Sequence, residues 1–442
     1  MNIPESVYFC LNELESKGFA AYLVGGCVRD HFLGLKPHDF DICTDALPEQ
    51  IEGVFENFPL VLAGKKHGTV GVVTASGVVE ITTFRTEGPY RDSRHPDWVK
   101  FVGDVRDDLA RRDFTVNAMA WSPTRGLADP FGGREDLKKS ILRAVGKPGD
   151  RFAEDALRIL RGVRFSVRFS LTPEEETRVA MENLSPLMEN LARERVFDEL
   201  CKLLPLVSAE DLLRWRTVLG AVIPELVPTF DFNQRSPHHA YDLYTHIAHV
   251  TAGVPADLPL RWAALLHDVG KIPTFTVDEN GRGHFYGHAG VSAEMANHIL
   301  RRLKAPNKLR EQVVTLIDKH MTRLEPQKKS LRRILGKLGE ETVFGLLVLQ
   351  EADMGSKGTG NAEEMDQFPR IREEIRRILE ENACLSLKDL AVNGRDLMQL
   401  GYEGKAIGEA LDKLLAQVLD EKLPNEKDAL LNFLQQAEEE TA

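Results

Sequence analysis

Two carboxylates one residue apart, Asp39 and Asp41 in PHDFDICT, are the most chemically suggestive feature of the sequence. On a β-strand, residues i and i+2 point to the same side. Carboxylates so placed repel one another unless a cation lies between them, and Mg²⁺ prefers carboxylates together with substrate phosphates. The pair is therefore a natural platform for two-metal chemistry on a phosphate. Two solvent-facing acids on an edge strand are the alternative reading. Glu80, in VVEITTFR, can add a third carboxylate from a neighbouring strand. Upstream, Gly25 and Gly26 follow the strand-like AAYLV and precede a helical stretch. Backbone N–H groups placed there can approach a phosphate at a helix N-terminus. Arg29 falls in the first turn of that helix, where it can meet a triphosphate.

A second group of chemistry-bearing residues lies in the middle of the chain. His246, His267-Asp268 in ALLHDVGK, His288 in FYGHAG, His320 in LIDKHM and Asp353 in QEADMG are of metal-ligand type. Imidazole and carboxylate suit borderline divalent ions. Isolated helical histidines are more often surface or core residues, so it is the set that matters. His38, His67, His95, His238 and His239 are read as structural or surface residues.

The elements that must position these residues divide the chain. Residues 1 to about 140 read as mixed α/β: a helix over Val7–Lys17, a strand at AAYLVGG, another at DFDICT, and a hairpin of GTVGVVTA and GVVEITTFRT turning at Ala75–Ser76–Gly77. Beyond about 150, strand signals nearly vanish and helical periodicity takes over, as in EDALRILRGVRFSVRF and ARERVFDELCKLL. Pro237 marks a boundary, and GSKGTGNAEEMDQF reads as a linker or long loop. The predicted class is α+β: a small mixed head at 1–145, a helical neck and body at 146–235, a histidine-rich metal-binding segment at 236–360 and a helical tail at 361–442.

At 442 residues the chain is too long for one compact core. No apolar run reaches the ~18 residues a membrane span needs, and MNIPESVYFCLNELESKGF lacks the form of a secretory signal. Cys10, Cys27, Cys43, Cys201 and Cys384 include no C-x-x-C pair, which predicts no disulfide framework and a reducing, cytoplasmic setting. The net charge of −12 argues by itself against a nucleic-acid partner. Binding uses local faces, however, and the arginine clusters count for more than the sum.

LVGGCVRDHFLGLKPHDFDICT resembles the head of the polymerase-β nucleotidyltransferase superfamily. With RRDFTVNAMA and RFAEDALRILRGVRF in this order and spacing, nearly the whole chain resembles the class II tRNA nucleotidyltransferases, the CCA-adding enzymes, and the related bacterial poly(A) polymerases. The resemblance implies Mg²⁺ at Asp39 and Asp41, with CTP, ATP and tRNA as partners. It implies nucleotide binding by Arg111, Arg112, Asp113 and Asn117. Glu154, Asp155 and Arg158 would template the incoming base.

The template reading has a chemical basis of its own. Asp155 and Arg158, at i and i+3, would share a helix face. Aspartate accepts hydrogen bonds and arginine only donates. Cytosine and adenine present an amino donor beside a ring-nitrogen acceptor; uracil and guanine present the reverse order. An ordinary i,i+3 surface ion pair is the alternative. Arg158, Arg161 and Arg164 can form a ridge toward triphosphate and tRNA phosphates, or a solvated basic face. Leu157, Leu160 and Val163 supply the apolar side.

The stretch RTEGPYRDSRHPDWVKFVGDVRDDLA, polar and broken by Gly88, Pro89 and Pro96, is expected to be a mobile loop. Relatives that add only CC lack a flexible loop here, so its presence favours full CCA or terminal A addition. The histidine pattern resembles the HD phosphohydrolases. That implies one metal at His246, His267, Asp268 and Asp353, with His288 and His320 serving a second, and Ni²⁺, Co²⁺ or Mn²⁺ as candidate ions. Met321 departs from the Asp that many such domains carry. NGRDLMQLGYEGKAIG resembles the tail module that meets the tRNA elbow, with Lys405 where many relatives have Pro. Rival readings are an A-adding enzyme, a poly(A) polymerase, an HD phosphohydrolase whose head only recruits RNA, and a non-catalytic tRNA-binding protein. The acidic EEETA terminus disfavours the poly(A) polymerase. The intact D-x-D and E-D-x-x-R disfavour the last two.

Overall fold

The structure, a computed structural model, describes residues 1–37, 39–88, 98–236, 240–358, 365–381 and 384–439. The chain forms two compact units, Met1–Val207 with Arg214–Val227, and Ser208–Leu213 with Pro228–Ala442. It is an α+β protein with a small sheet-containing head and a largely helical remainder.

The head is built on strands β1 (Ala21–Val24), β2 (Asp41–Thr44), β3 (Leu60–Val61), β4 (Thr69–Thr74), β5 (Gly77–Thr83), β6 (Arg85–Glu87), β7 (Val99–Phe101), β8 (Ala120–Ser122) and β9 (Gly126–Ala128). Seven of them make one sheet in the order β3-β4-β5-β2-β1-β8-β9. β1 runs antiparallel to β2, with Val24 opposite Asp41. β2 runs parallel to β5, with Ile42 opposite Ile81. One residue before each member of that last pair come Asp41 and Glu80, so the register brings both carboxylates to the same end of the sheet. The β4–β5 hairpin turns on Ala75 and Ser76 alone, because Gly77 already pairs with Thr74. Val24, Cys43, Phe84, Leu109, Ala118, Ala120 and Val145 close a core against the sheet.

Helix α1 (Glu5–Ser16) precedes β1, α2 (Gly26–Phe32) follows it and α3 (Pro48–Val54) follows β2. β6 and β7 pair antiparallel, Arg85 opposite Phe101. The stretch expected to be loop therefore has paired ends; residues 89–97, including Pro89, His95 and Pro96, lie outside the described residues. α4 (Val105–Ala110) is capped by Asp104, which accepts from the Arg106 N–H at 2.8 Å. α5 (Gly133–Lys138) completes the head.

The neck corrects one expectation. EDALRILRGVRF is not one helix: α6 (Pro148–Glu154) stops, Asp155 is extended at φ −145°, ψ 102°, and α7 (Leu157–Arg168) begins afresh. Asp155 Oδ1 accepts from the Leu157 N–H at 3.0 Å. A short polar side chain that bonds the backbone just ahead of it offers an alternative to the helical ladder. α8 (Glu175–Leu184), α9 (Arg193–Leu203), α10 (Ala209–Arg214) and α11 (Arg216–Val222) follow.

The second unit is helical: α12 (Leu243–Gly253), α13 (Leu258–Leu266), α14 (His288–Arg302), α15 (Asn307–Lys319), α16 (Lys328–Leu338) and α17 (Glu340–Gly355), then helices at Gln367–Glu380, Gly394–Gln399, Lys405–Leu419 and Lys427–Glu439. The tail helices pack on Leu397, Ala410, Leu414, Val418, Leu430 and Leu434. Pro237, His238 and His239, and residues 359–364 of the expected linker, lie outside the described residues, as does His38. Past residue 150 the sheet is reduced to two-residue ladders, among the described residues. None of the described helices is long and apolar enough to cross a membrane.

Candidate active site

Asp41 opens β2, while Asp39 lies just before the strand rather than on it. The strand argument for a shared face therefore reaches only Asp41. Even so, Asp39, Asp41 and Glu80 line one cleft of about 570 Å³, with Phe40, Ser76 and Val79. The surrounding protein pushes the Asp41 carboxyl above its ordinary value; the Arg112 guanidinium opposes this, and Glu80 and Asp39 push it further up. Three carboxylates of like charge line this cleft, and carboxylate oxygen is the ligand type a hard divalent cation prefers, but the three are not gathered within 4.8 Å of one another.

The glycine turn is fixed to the segment Arg111–Asn117. Gly25 takes φ 75°, and a Cβ there would lie 3.1 Å from Arg112 Nη1. Its N–H donates to the Met119 carbonyl at 3.2 Å, so that donor is already used. Arg29 is 6% exposed. It donates to Asp30 Oδ1 at 2.9 and 2.7 Å and to Asn117 Oδ1 at 2.7 Å, and its guanidinium lies 4.2 Å from the Phe169 ring centroid. The side chain expected to meet triphosphate is thus engaged within the protein. Asn117 donates to Asp113 Oδ1 at 3.1 Å, and Arg161 Nε donates to Asp113 Oδ2 at 2.8 Å. Burial works against the Asp113 carboxylate, but Arg161 and Asn117 outweigh it and bring its pKa down to about 2. Arg111 and Arg112 both reach Asp108, at 2.9 and 3.2 Å. Burial likewise opposes the Asp108 charge, and these two arginines overcome it, leaving its pKa below the ordinary value.

Around the proposed template the structure corrects the expectation of a shared helix face. Asp155 and Arg158 are both buried but do not share a helix face, because the chain breaks at Asp155. Arg158 donates to Glu154 Oε2 at 2.7 Å, to the Arg151 carbonyl at 3.1 Å and to the Arg111 carbonyl at 3.0 Å. Asp155 Oδ2 instead accepts from Arg195 Nη2 at 2.8 Å. Arg164 is also turned inward and bonds Glu199 at 2.6 Å. Of the expected arginine ridge, only Arg161 is part-exposed, and it holds Asp113. A cleft of about 210 Å³ lies among Thr86, Gly88, Arg111, Arg151, Glu154 and Arg158. It lies where the β6–β7 stretch meets the segments that carry Arg111 and Glu154–Arg158.

In the second unit the histidines and aspartates do converge. His246, His267 and Asp268 form one group able to hold a metal ion, and Asp268, His288 and His320 form another. His246 Nε2 lies 3.0 Å from Asp353 Oδ1, and His267 Nε2 lies 3.2 Å from Asp268 Oδ2. His288 Nε2 lies 3.4 Å from Asp268 Oδ1 and 3.3 Å from His320 Nε2. Each ring is turned by a backbone carbonyl at Nδ1: Ser356 at 3.3 Å, Ala264 at 2.8 Å, Phe285 at 2.9 Å and Ile317 at 2.6 Å. That bond presents Nε2 inward as an electron-pair donor, the second-sphere arrangement of metal-binding histidines. Lys271 Nζ stands 2.7 Å from Asp268 Oδ2. Met321, in place of the expected Asp, is exposed.

With this geometry in view, comparison with known proteins decides the family. Residues 21–143 match the poly A polymerase head domain, and residues 283–434 match tRNA nucleotidyltransferase domain 2. The CCA-adding enzyme of Latilactobacillus sakei is 33% identical over 95% of this chain and 95% of its own length. The chain belongs to the CCA-adding enzymes. The Bacillus velezensis member is 32% identical over 96% of both chains. The crystal structure of the Bacillus stearothermophilus CCA-adding enzyme in complex with CTP superposes with a TM-score of 0.76, at 29% identity, over 100% of this chain and 99% of that one.

Three residues that bond the expected site residues escaped the sequence reading. Asp108 and Lys271 sit within four residues of motif positions, at i−3 to Arg111 and i+3 to Asp268, a spacing that points to both. Arg195 lies forty residues from Asp155 on another helix, and no local pattern marks it.

Proposed function

We propose that this chain extends the 3′ end of tRNA by CMP, CMP and AMP without a nucleic-acid template, in the cytoplasm. The observation that carries the proposal is the cleft around Asp39, Asp41 and Glu80 on the head sheet, in a chain of this family. The tRNA 3′-hydroxyl oxygen attacks the α-phosphate of CTP or ATP, and pyrophosphate leaves. Asp39 and Asp41, with Glu80 beside them, would hold Mg²⁺, which supplies Lewis acidity to the hydroxyl and the triphosphate. Arg111 and Arg112 face the nucleotide, oriented by Asp108. Gly25, Gly26, Arg29, Asn117, Asp113 and Arg161 hold the turn and the motif segment in place behind it. Asp155 and Arg158 read the base, with Glu154 fixing the Arg158 guanidinium. Residues 1–145 serve as head, 146–235 as neck and body, and 361–442 as the tRNA-binding tail. The solved Thermotoga maritima CCA-adding enzyme with tRNA has the same fold. Incubating the purified protein with tRNA lacking CCA and each nucleoside triphosphate separately tests the proposal. Incorporation from CTP and then ATP, with UTP and GTP refused, is the expected result.

A second reading rests on the carbonyl-oriented imidazoles of residues 236–360. His246, His267, Asp268 and Asp353, with His288 and His320 alongside, would hold Ni²⁺, Co²⁺ or Mn²⁺ and support hydrolysis of phosphomonoesters or 2′,3′-cyclic phosphates. Imidazole suits those ions better than Mg²⁺, which wants oxygen.

A further inference from the structure

The Asp155 carboxylate, between α6 and α7, is held from helix α9. Arg195 Nη2 donates to Oδ2 at 2.8 Å and Nη1 approaches Oδ1 at 3.4 Å, while the Leu157 N–H takes Oδ1 at 3.0 Å. Four residues further along α9, Glu199 accepts from Arg164 Nε at 2.6 Å. Residues i and i+4 lie on one helix face. One face of α9 therefore grips α7 through Arg164 and the turn before α7 through Asp155. Buried Val196, Leu200 and Leu203 anchor α9 beneath these contacts. The grip does not saturate Asp155, since a carboxylate offers about four lone-pair positions.

We propose that Arg195 is a positioning residue for base selection. Its guanidinium fixes the plane of the Asp155 carboxylate, and with it the direction from which Asp155 accepts a hydrogen bond from the amino group of cytosine or adenine. The inference rests on the reading of Asp155 as part of the base template. Discrimination between donor–acceptor patterns needs a fixed acceptor: a carboxylate free to swing can follow the ring N–H of uracil or guanine instead. A site whose buried polar groups are oriented rejects the mismatched partner because those groups go unpaired. The flat, forked guanidinium sets a plane, which a lysine ammonium does not.

The test uses the full-length enzyme and its Arg195→Met, Arg195→Lys and Glu199→Gln variants. kcat and KM are measured for CTP and UTP on tRNA lacking CCA, and for ATP and GTP on tRNA ending in CC. Thermal unfolding is followed in parallel. Arg195→Met should lower kcat/KM for CTP and ATP by about 10- to 100-fold while leaving UTP and GTP little changed, so that selectivity collapses. Arg195→Lys should recover part of the rate and less of the selectivity. Glu199→Gln, which weakens the Arg164 contact and leaves Arg195 in place on Asp155, should slow all four nucleotides alike. If Arg195→Met also slows all four by one factor, or keeps wild-type selectivity, the inference is overturned and Arg195 is structural. A wild-type enzyme that adds neither CMP nor AMP to tRNA overturns the template reading, and this inference with it.

Discussion

Arg161 Nη2 lies 2.7 Å from Asp113 Oδ2, tying helix α7, which carries Arg158, to the segment that carries Arg111 and Arg112. Asn117 extends the link from Asp113 to Arg29, and so to the glycine turn before α2. Helix α7, the segment Arg111–Asn117 and the glycine turn are thus mechanically joined inside one unit.

That link predicts a pH-dependent stability. The folded-state pKa of Asp113, about 2, lies below its ordinary 3.8. The stabilisation is therefore fully present above about pH 5 and is lost as pH falls through the folded value. It amounts to an order of 2 kcal/mol near neutrality. Asp113→Asn should lower the unfolding midpoint at pH 7, and its gap from wild type should shrink to about half at pH 3. A gap that stays constant or widens on acidification contradicts the assigned role of Asp113.

Asp39→Ala and Asp41→Ala should each abolish nucleotide addition, by on the order of 10³ or more, while circular dichroism and tRNA affinity stay close to wild type. Turnover near the wild-type rate in either variant would remove the carboxylate cleft from the mechanism.

Asp155→Ala and Arg158→Ala should admit UTP or GTP more than they weaken triphosphate binding. The reading comes from their donor–acceptor match to cytosine and adenine. Uniform slowing with all four nucleotides would make the pair structural.

His267→Ala should remove Ni²⁺ or Co²⁺ binding, followed by calorimetry, together with any phosphomonoesterase or cyclic phosphodiesterase activity. It should spare CMP and AMP addition, because the ligand sets lie in different units. Unchanged metal affinity in the variant would show that these imidazoles serve packing alone.

What could be read in the sequence was local. The strands at DFDICT and GVVEITTFRT were legible one by one, whereas the parallel β2–β5 register that sets Asp41 beside Glu80 is a long-range pairing. The break at Asp155 is invisible because Leu157, Leu160 and Val163 continue the helical period right up to it; only the bond from Leu157 N–H to Asp155 reveals it. Arg195 and Glu199 looked like members of an ordinary amphipathic helix, since their partners lie 40 and 35 residues away. The histidines could be listed as ligand types, but the four carbonyls that turn their Nε2 atoms inward belong to backbone that no sequence pattern announces.

One active site is expected to add both cytidines and the terminal adenosine, with the stretch Arg85–Asp108, beside the cleft at Arg111 and Arg158, expected to permit the change of base. Thr86 and Gly88 of that stretch line the cleft together with Arg111 and Arg158. The most direct measurement offers tRNA ending at the discriminator base, and separately tRNA already ending in CC, with CTP and ATP both present. Extension of both to a complete CCA end is the predicted result. Extension of the CC-ended tRNA alone would make this an A-adding enzyme, and a halt after CC on the first substrate would contradict the role given to Arg85–Asp108.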